Sequence, residues 1–105
     1  MPLIIVTTTL PSREAADAMA TQLVEEGLAA CVQVLGPIES TYRWDGVIER
    51  AKEWYCHCKA PVEQRDDLMA RIKALHPYDV PEIVAVRADS VDPEYLGWAK
   101  GLLDQ

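Results

Sequence analysis

The sequence predicts an α+β sandwich: a four-stranded antiparallel sheet built in the order βαββαβ, followed by a C-terminal helix. Three observations predict it. A β-branched run, Leu3 to Thr8, opens the chain. An Asp45-Gly46 turn joins two long strand-like runs, and amphipathic stretches of helical period lie on either side of that hairpin.

The opening run is continuously apolar up to its threonines, as expected of a central strand buried on both faces; Met1 and Pro2 read with it. Ser12 then caps a first helix with Glu14 in its first turn and Ala16, Met19, Ala20 and Leu23 on one face. Gly27 stops it. The acidic pair Glu25-Glu26 opposes the helix dipole, so that end is expected to fray. Residues Ala29 to Leu35 and Ile38 to Trp44 form the next strand, with a bulge or bend expected at Gly36-Pro37. A two-residue type I′ loop at Asp45-Gly46 pairs Trp44 with Val47, Arg43 with Ile48, Tyr42 with Glu49 and Glu39 with Lys52. The returning arm runs from Val47 to about Ala60, where Pro61 closes it. Such arms are long against a usual ~5–6 residues, and their free edges need covering. That points to an oligomer.

Val62 to Leu75 forms the second helix, with Leu68, Met69, Ile72 and Leu75 as its stripe and His76-Pro77 as its stop. Val80 to Ala88 gives the fourth strand, Pro81 falling in its first positions. Asp92-Pro93-Glu94 opens a short terminal helix carrying Tyr95, Trp98, Ala99 and Leu102. Two right-handed βαβ crossovers joined by a hairpin make the ferredoxin-like sandwich, with both helices on one sheet face and nothing on the other.

The chain has 105 residues, half of them apolar, which is room for one domain, 1–105. Seventeen acidic against ten basic residues leave a formal charge of −7, which disfavours nucleic acid and anionic membrane surfaces as partners. No apolar run approaches the ~18–20 residues of a membrane span, and the N-terminus lacks the basic region of a signal peptide. The odd set Cys31, Cys56 and Cys58 suits a reducing compartment, so the cytoplasm is expected.

Cys56-His57-Cys58 resembles a metal triplet, but strand alternation puts the two cysteines on one face and His57 on the other. Two thiols are half a structural zinc site, and small buried cysteines beside Trp54 are the expected alternative. A cysteine–histidine nucleophile needs the two side chains in contact, which the same alternation prevents. No phosphate loop, dinucleotide fingerprint, zinc-protease motif or nucleophile elbow is present, so nothing signals an enzyme. Two clusters remain: Tyr42-Arg43-Trp44 before the hairpin turn, and His76 to Glu82, which concentrates an imidazole, Tyr78 and two acids. Turn chemistry and hairpin packing account for either. The competing reading is a small-molecule or cation pocket at a subunit junction.

Four ordered segments resemble one known family: Ala29-Ala30-Cys31-Val32, Tyr42 to Gly46, Lys73 to Ile83, and Tyr95-Leu96-Gly97-Trp98. Together they are similar to the CutA family of divalent-cation tolerance proteins, over essentially the whole chain. The resemblance implies a homotrimer similar to the PII signalling proteins and a link to tolerance of copper and other divalent cations, without catalysis and without an obligatory cofactor. The alternative it leaves is a PII-like module binding a small metabolite or nucleotide at inter-subunit clefts. Relatives with a proposed copper site use a cysteine ending the first strand and two successive histidines before Pro-Tyr; those positions are Thr8, Leu75 and His76 here. His76 is therefore the candidate for Cu(II), Cys56 and Cys58 for Cu(I) if their face is reachable, and Tyr42, Arg43, Trp44, Tyr78 and Glu82 for the cleft.

Overall fold

The structure, a computed structural model, describes residues 3–103 and side chains as far as Gly101. Met1 and Pro2, and the side chain of Leu102, lie outside the described residues. The elements are β1 (Leu3–Leu10), α1 (Arg13–Glu25), β2 (Cys31–Trp44), β3 (Val47–Pro61), α2 (Arg65–Leu75), β4 (Ile83–Arg87) and α3 (Pro93–Leu103). The sheet is antiparallel throughout, in the order β2-β3-β1-β4. This is the expected α+β, ferredoxin-like arrangement.

Local signals set most boundaries. Ser12 Oγ accepts the Ala15 amide at 3.0 Å, and Gly27 leaves α1 with φ of +72°. The Leu28 and Ala29 amides both bond back to the Leu23 carbonyl, which delays β2 from Ala29 to Cys31. The expected fraying of α1 meets a tie. Arg71 of α2 donates two bonds to the Glu26 carboxylate, at 2.8 and 2.9 Å, and Gln22 donates a third at 2.9 Å. Hydrogen bonds from Arg71, then from Gln22, hold that carboxyl down at about 2. The second helix starts later than Val62 because residues 62–64 form a 3-10 turn before α2. β4 is shorter than Val80 to Ala88, since Pro81 has no amide to give a ladder.

The hairpin has the expected register from Trp44↔Val47 to Ile38↔Glu53, and it slips once. Leu35 pairs with Tyr55, so Gly36 and Pro37 together oppose Trp54: the bulge. Only glycine fits there, because a Cβ on Gly36 would stand 2.5 Å from Trp54 Cδ1.

The helices α1 and α2 cover one face, burying Ile4, Val6 and Leu10 with Cys56, Cys58, Leu23, Leu68 and Ile72. The opposite face is not wholly bare, which corrects the sequence reading. α3 folds back over its Leu3 end, packing Ala99 with Leu3 and Ala30, and Tyr95 beside them. Beyond α3 that face stays open. Leu35, Val84 and Val86 are 58%, 50% and 56% exposed, and Ile5 and Thr7 of β1 are half-buried rather than enclosed.

Candidate functional site

The structure brings Tyr42, Arg43, Trp44, Tyr78 and Glu82 to one place. They line a cleft of about 1050 Å³ between the outer half of the β2–β3 hairpin and the loop that joins α2 to β4. On β3, alternation puts Glu49 and Glu53 on the face shared with Tyr42 and Trp44 of β2. The loop supplies Tyr78, Asp79 and Glu82, held by the prolines at 77 and 81. Its carboxylates (Glu39, Glu49, Glu53, Asp79 and Glu82) face a single basic residue, Arg43.

Sequence reasoning missed Glu53. It is 8% exposed, and its Oε2 accepts from the Tyr78 hydroxyl at 2.8 Å. Burial, then the hydrogen bond to Glu53 and its charge, raise the Tyr78 phenol well above its ordinary value, so it stays a donor. Period-two alternation from Glu49 was the signal that could have found Glu53. The lining also disfavours phosphorylated ligands, which these carboxylates repel.

His76 stands where the resemblance placed it, beside Thr8. Its Nδ1 accepts the Tyr78 amide at 3.2 Å, so Nε2 carries the proton and donates to Thr8 Oγ1 at 2.9 Å. Both nitrogens are engaged. Burial lowers its pKa, outweighing the Thr9 backbone and the Glu53 charge, which pull the other way. The unfolded chain therefore binds a proton that the fold refuses, and stability falls as pH drops below the unfolded value near 6.5. The stability advantage of wild type over His76→Gln should accordingly shrink between pH 7 and pH 5 in urea melts. An unchanged difference would mean that the ring is neither buried nor neutral.

The cysteine triplet divides as alternation requires. Cys56 and Cys58 are fully buried, and Cys56 Sγ donates to the Ala16 carbonyl at 3.5 Å. Burial pushes the Cys56 thiol up to about 11 and the Cys58 thiol up to about 12, with Asp17 adding to the first and the neighbouring cysteines to the second. Neither is a thiolate at neutral pH, and the condition set for Cu(I), a reachable face, is not met within the protomer. His57, on the other face, hydrogen-bonds Thr7 Oγ1 through Nδ1 at 3.1 Å and stacks on Tyr55. No three His, Cys, Asp or Glu side chains among the described residues converge to hold a metal ion.

Residues 4–101 match the family described as CutA1 divalent ion tolerance protein. The chain belongs to this CutA1 family. A CutA relative from Thermus thermophilus, a divalent-cation tolerance protein, is 43% identical over 96 residues, covering 91% of this chain and 93% of that one. A chloroplastic CutA of Arabidopsis thaliana is 37% identical over 95% of this chain, which spans only 55% of that longer protein. The CutA crystal structure from Xylella fastidiosa superposes with a TM-score of 0.93 at 37% identity, covering 97% of this chain and 98% of that one. The CutA1 structure from Ehrlichia chaffeensis gives the same score at 26% identity, over 96% of this chain and 94% of that one.

Proposed function

We propose that this CutA1 member serves divalent-cation tolerance, copper included, as a non-catalytic cytoplasmic homotrimer whose working surface is the cleft between hairpin and loop. The observation that carries the reading is the open sheet face: Leu35 on one edge strand and Val84 and Val86 on the other lie exposed on the face that α3 leaves bare. Burying such a face against copies of itself is the ordinary remedy, and the long hairpin then reaches past its own protomer. The cleft lies along that hairpin, so a neighbour completes it. Protonated Cys56 and a His57 turned to the other face support a role without catalysis. Three unpaired cysteines favour a reducing compartment. No helix among the described residues is long and apolar enough to cross a membrane.

Copper, on this reading, takes His76 as its imidazole at the cost of the Thr8 hydrogen bond, with its remaining ligands drawn from neighbouring copies. Competitive copper titration of wild type, His76→Ala and the double variant Cys56→Ser/Cys58→Ser tests this. The stoichiometry should fall in His76→Ala, hold in the cysteine variant, and leave the oligomer intact by light scattering. Equal binding by all three that salt abolishes would reduce the affinity to diffuse charge and overturn the assignment.

A further inference from the structure

His57 stands near the middle of the open sheet face. The register sets it between Thr7 of β1 and Gln33 of β2, with Val84 of β4 beyond Thr7. Alternation gives the same face Ile5, Leu35, Tyr55 and Lys59. The ring is half-buried already in the single protomer, with Nδ1 on the Thr7 hydroxyl at 3.1 Å and its plane stacked on Tyr55, centroids 5.1 Å apart. Its charged neighbours are few. Lys59, two positions along β3, carries a like charge, its ammonium 5.8 Å from the Tyr95 ring of α3. Cys31 on β2, Tyr55 on β3 and Tyr95 on α3 are the other titratable groups on this side, and β1 and β4 bring only Ile5, Thr7, Thr9, Val84 and Val86. The first carboxylate along the strand is Glu53, about 13 Å away and engaged by Tyr78. Among the described residues no carboxylate lies within ion-pair distance of His57.

We infer that His57 makes the assembly of copies acid-sensitive: the neutral ring is sealed between copies, and its protonation drives them apart. This rests on the oligomer proposed above, with the open face as its junction, and on neither the copper assignment nor the number of copies. Histidine is the side chain that ordinarily gains charge between pH 5 and 8. On a separate protomer the half-exposed ring takes a proton and keeps its water. In a closed junction of valine, leucine and isoleucine the imidazolium loses that water, with no carboxylate to meet it and Lys59 repelling it. Symmetry repeats the charge once in every copy. Separate copies therefore bind protons that assembled ones refuse, and association weakens as pH falls. The carboxylates act with the opposite sign: neutralising a chain of −7 relieves repulsion between copies. The chain has two histidines, and His76 lies on the helix side of the sheet against Thr8, so the two are separable.

Light scattering on dilution series of the full chain at pH 7.5 and pH 5.5 tests it. The concentration at which wild type separates should be about tenfold or more higher at the lower pH. His57→Gln, whose amide still bonds Thr7, should separate at the same concentration at both. His76→Gln should keep the wild-type shift, because that ring acts on the protomer's own fold. Dilution calorimetry at pH 5.5, in buffers of different ionisation heat, should count about one proton taken up per separating copy of wild type. That count decides the matter if His57→Gln does not assemble at pH 7.5. A wild-type assembly that ignores the change of pH, tightens toward acid or stays whole at pH 5.5 at every dilution would overturn the inference and leave the oligomer standing. So would a shift that survives in His57→Gln or vanishes in His76→Gln. A wild type that is a monomer at pH 7.5 at every concentration would overturn the oligomer itself, and the acid sensitivity with it.

Discussion

The double variant Val84→Glu/Val86→Glu should run as a monomer in light scattering behind a sizing column, while wild type keeps the mass of about three copies across dilution. Both valines are at least half exposed in the protomer, so the substitutions leave its core alone and the circular dichroism should be retained. The loss falls on assembly. Completing the burial of two valines in each of three copies is worth on the order of 5–9 kcal/mol, about half the value for full burial of each side chain. The variant forfeits that and brings carboxylates into a closed apolar junction, where each buried ion costs several kcal/mol more. The two effects act together. A variant of wild-type mass would show that this face is not where copies meet, and the oligomer would then have to be sought at the hairpin edge.

Gly36→Ala is the second large effect. The added Cβ would meet Trp54 Cδ1 at 2.5 Å, Cγ at 2.8 Å and Nε1 at 3.0 Å, all atoms of a half-buried indole packed against the main core. Either the ring swings out or the bulge opens. Overpacking of this kind costs about 1–3 kcal/mol, which for a chain of this size lowers the melting temperature by roughly 4–20 °C. The indole N–H signal of Trp54 should move at the same time, because the ring must shift even where the fold survives. An unaltered melt and an unmoved indole signal would mean that the bulge has more room than its geometry gives.

What the sequence made legible was what neighbours along the chain decide. Ser12, Gly27 and Asp92 cap or stop helices by bonds to residues a few positions away, and Asp45-Gly46 sets its own register outward to Glu53. Alternation likewise separated Cys56 and Cys58 from His57. The pairs that join distant elements, in the site and between the helices, are of another kind. Tyr78 meets Glu53 across 25 positions, Arg71 meets Glu26 across 45, and His76 meets Thr8 across 68. Nothing local specifies such meetings; the crossovers do, and a pattern reading has no access to them. The resemblance supplied the adjacency of Thr8 and His76, but not the direction of each imidazole bond, which removes both ring nitrogens from easy coordination. The place of α3 was lost for a related reason. Its apolar residues announce a helix with something to cover, and only tertiary packing says that the Leu3 end of the open face is what they cover.

The sheet order has a consequence for synthesis on the ribosome. Of the four strands β1 is made before the others, and it is one of the two central ones, with β3 on one side and β4 on the other. Ile4 pairs with Ala60 and with Arg87, so its second neighbour is translated about eighty residues after it. At roughly 5–20 residues per second, that leaves β1 without its last partner for about 4–16 s. During that interval Leu3, Ile4, Ile5 and Val6 are an exposed, uncharged β-forming segment of the sort that pairs with other nascent chains. The local hairpin forms early and offers β3 as a template. Only the arrival of β4 closes the other edge, and the trailing α3 then shields the strand's first residue from aggregation.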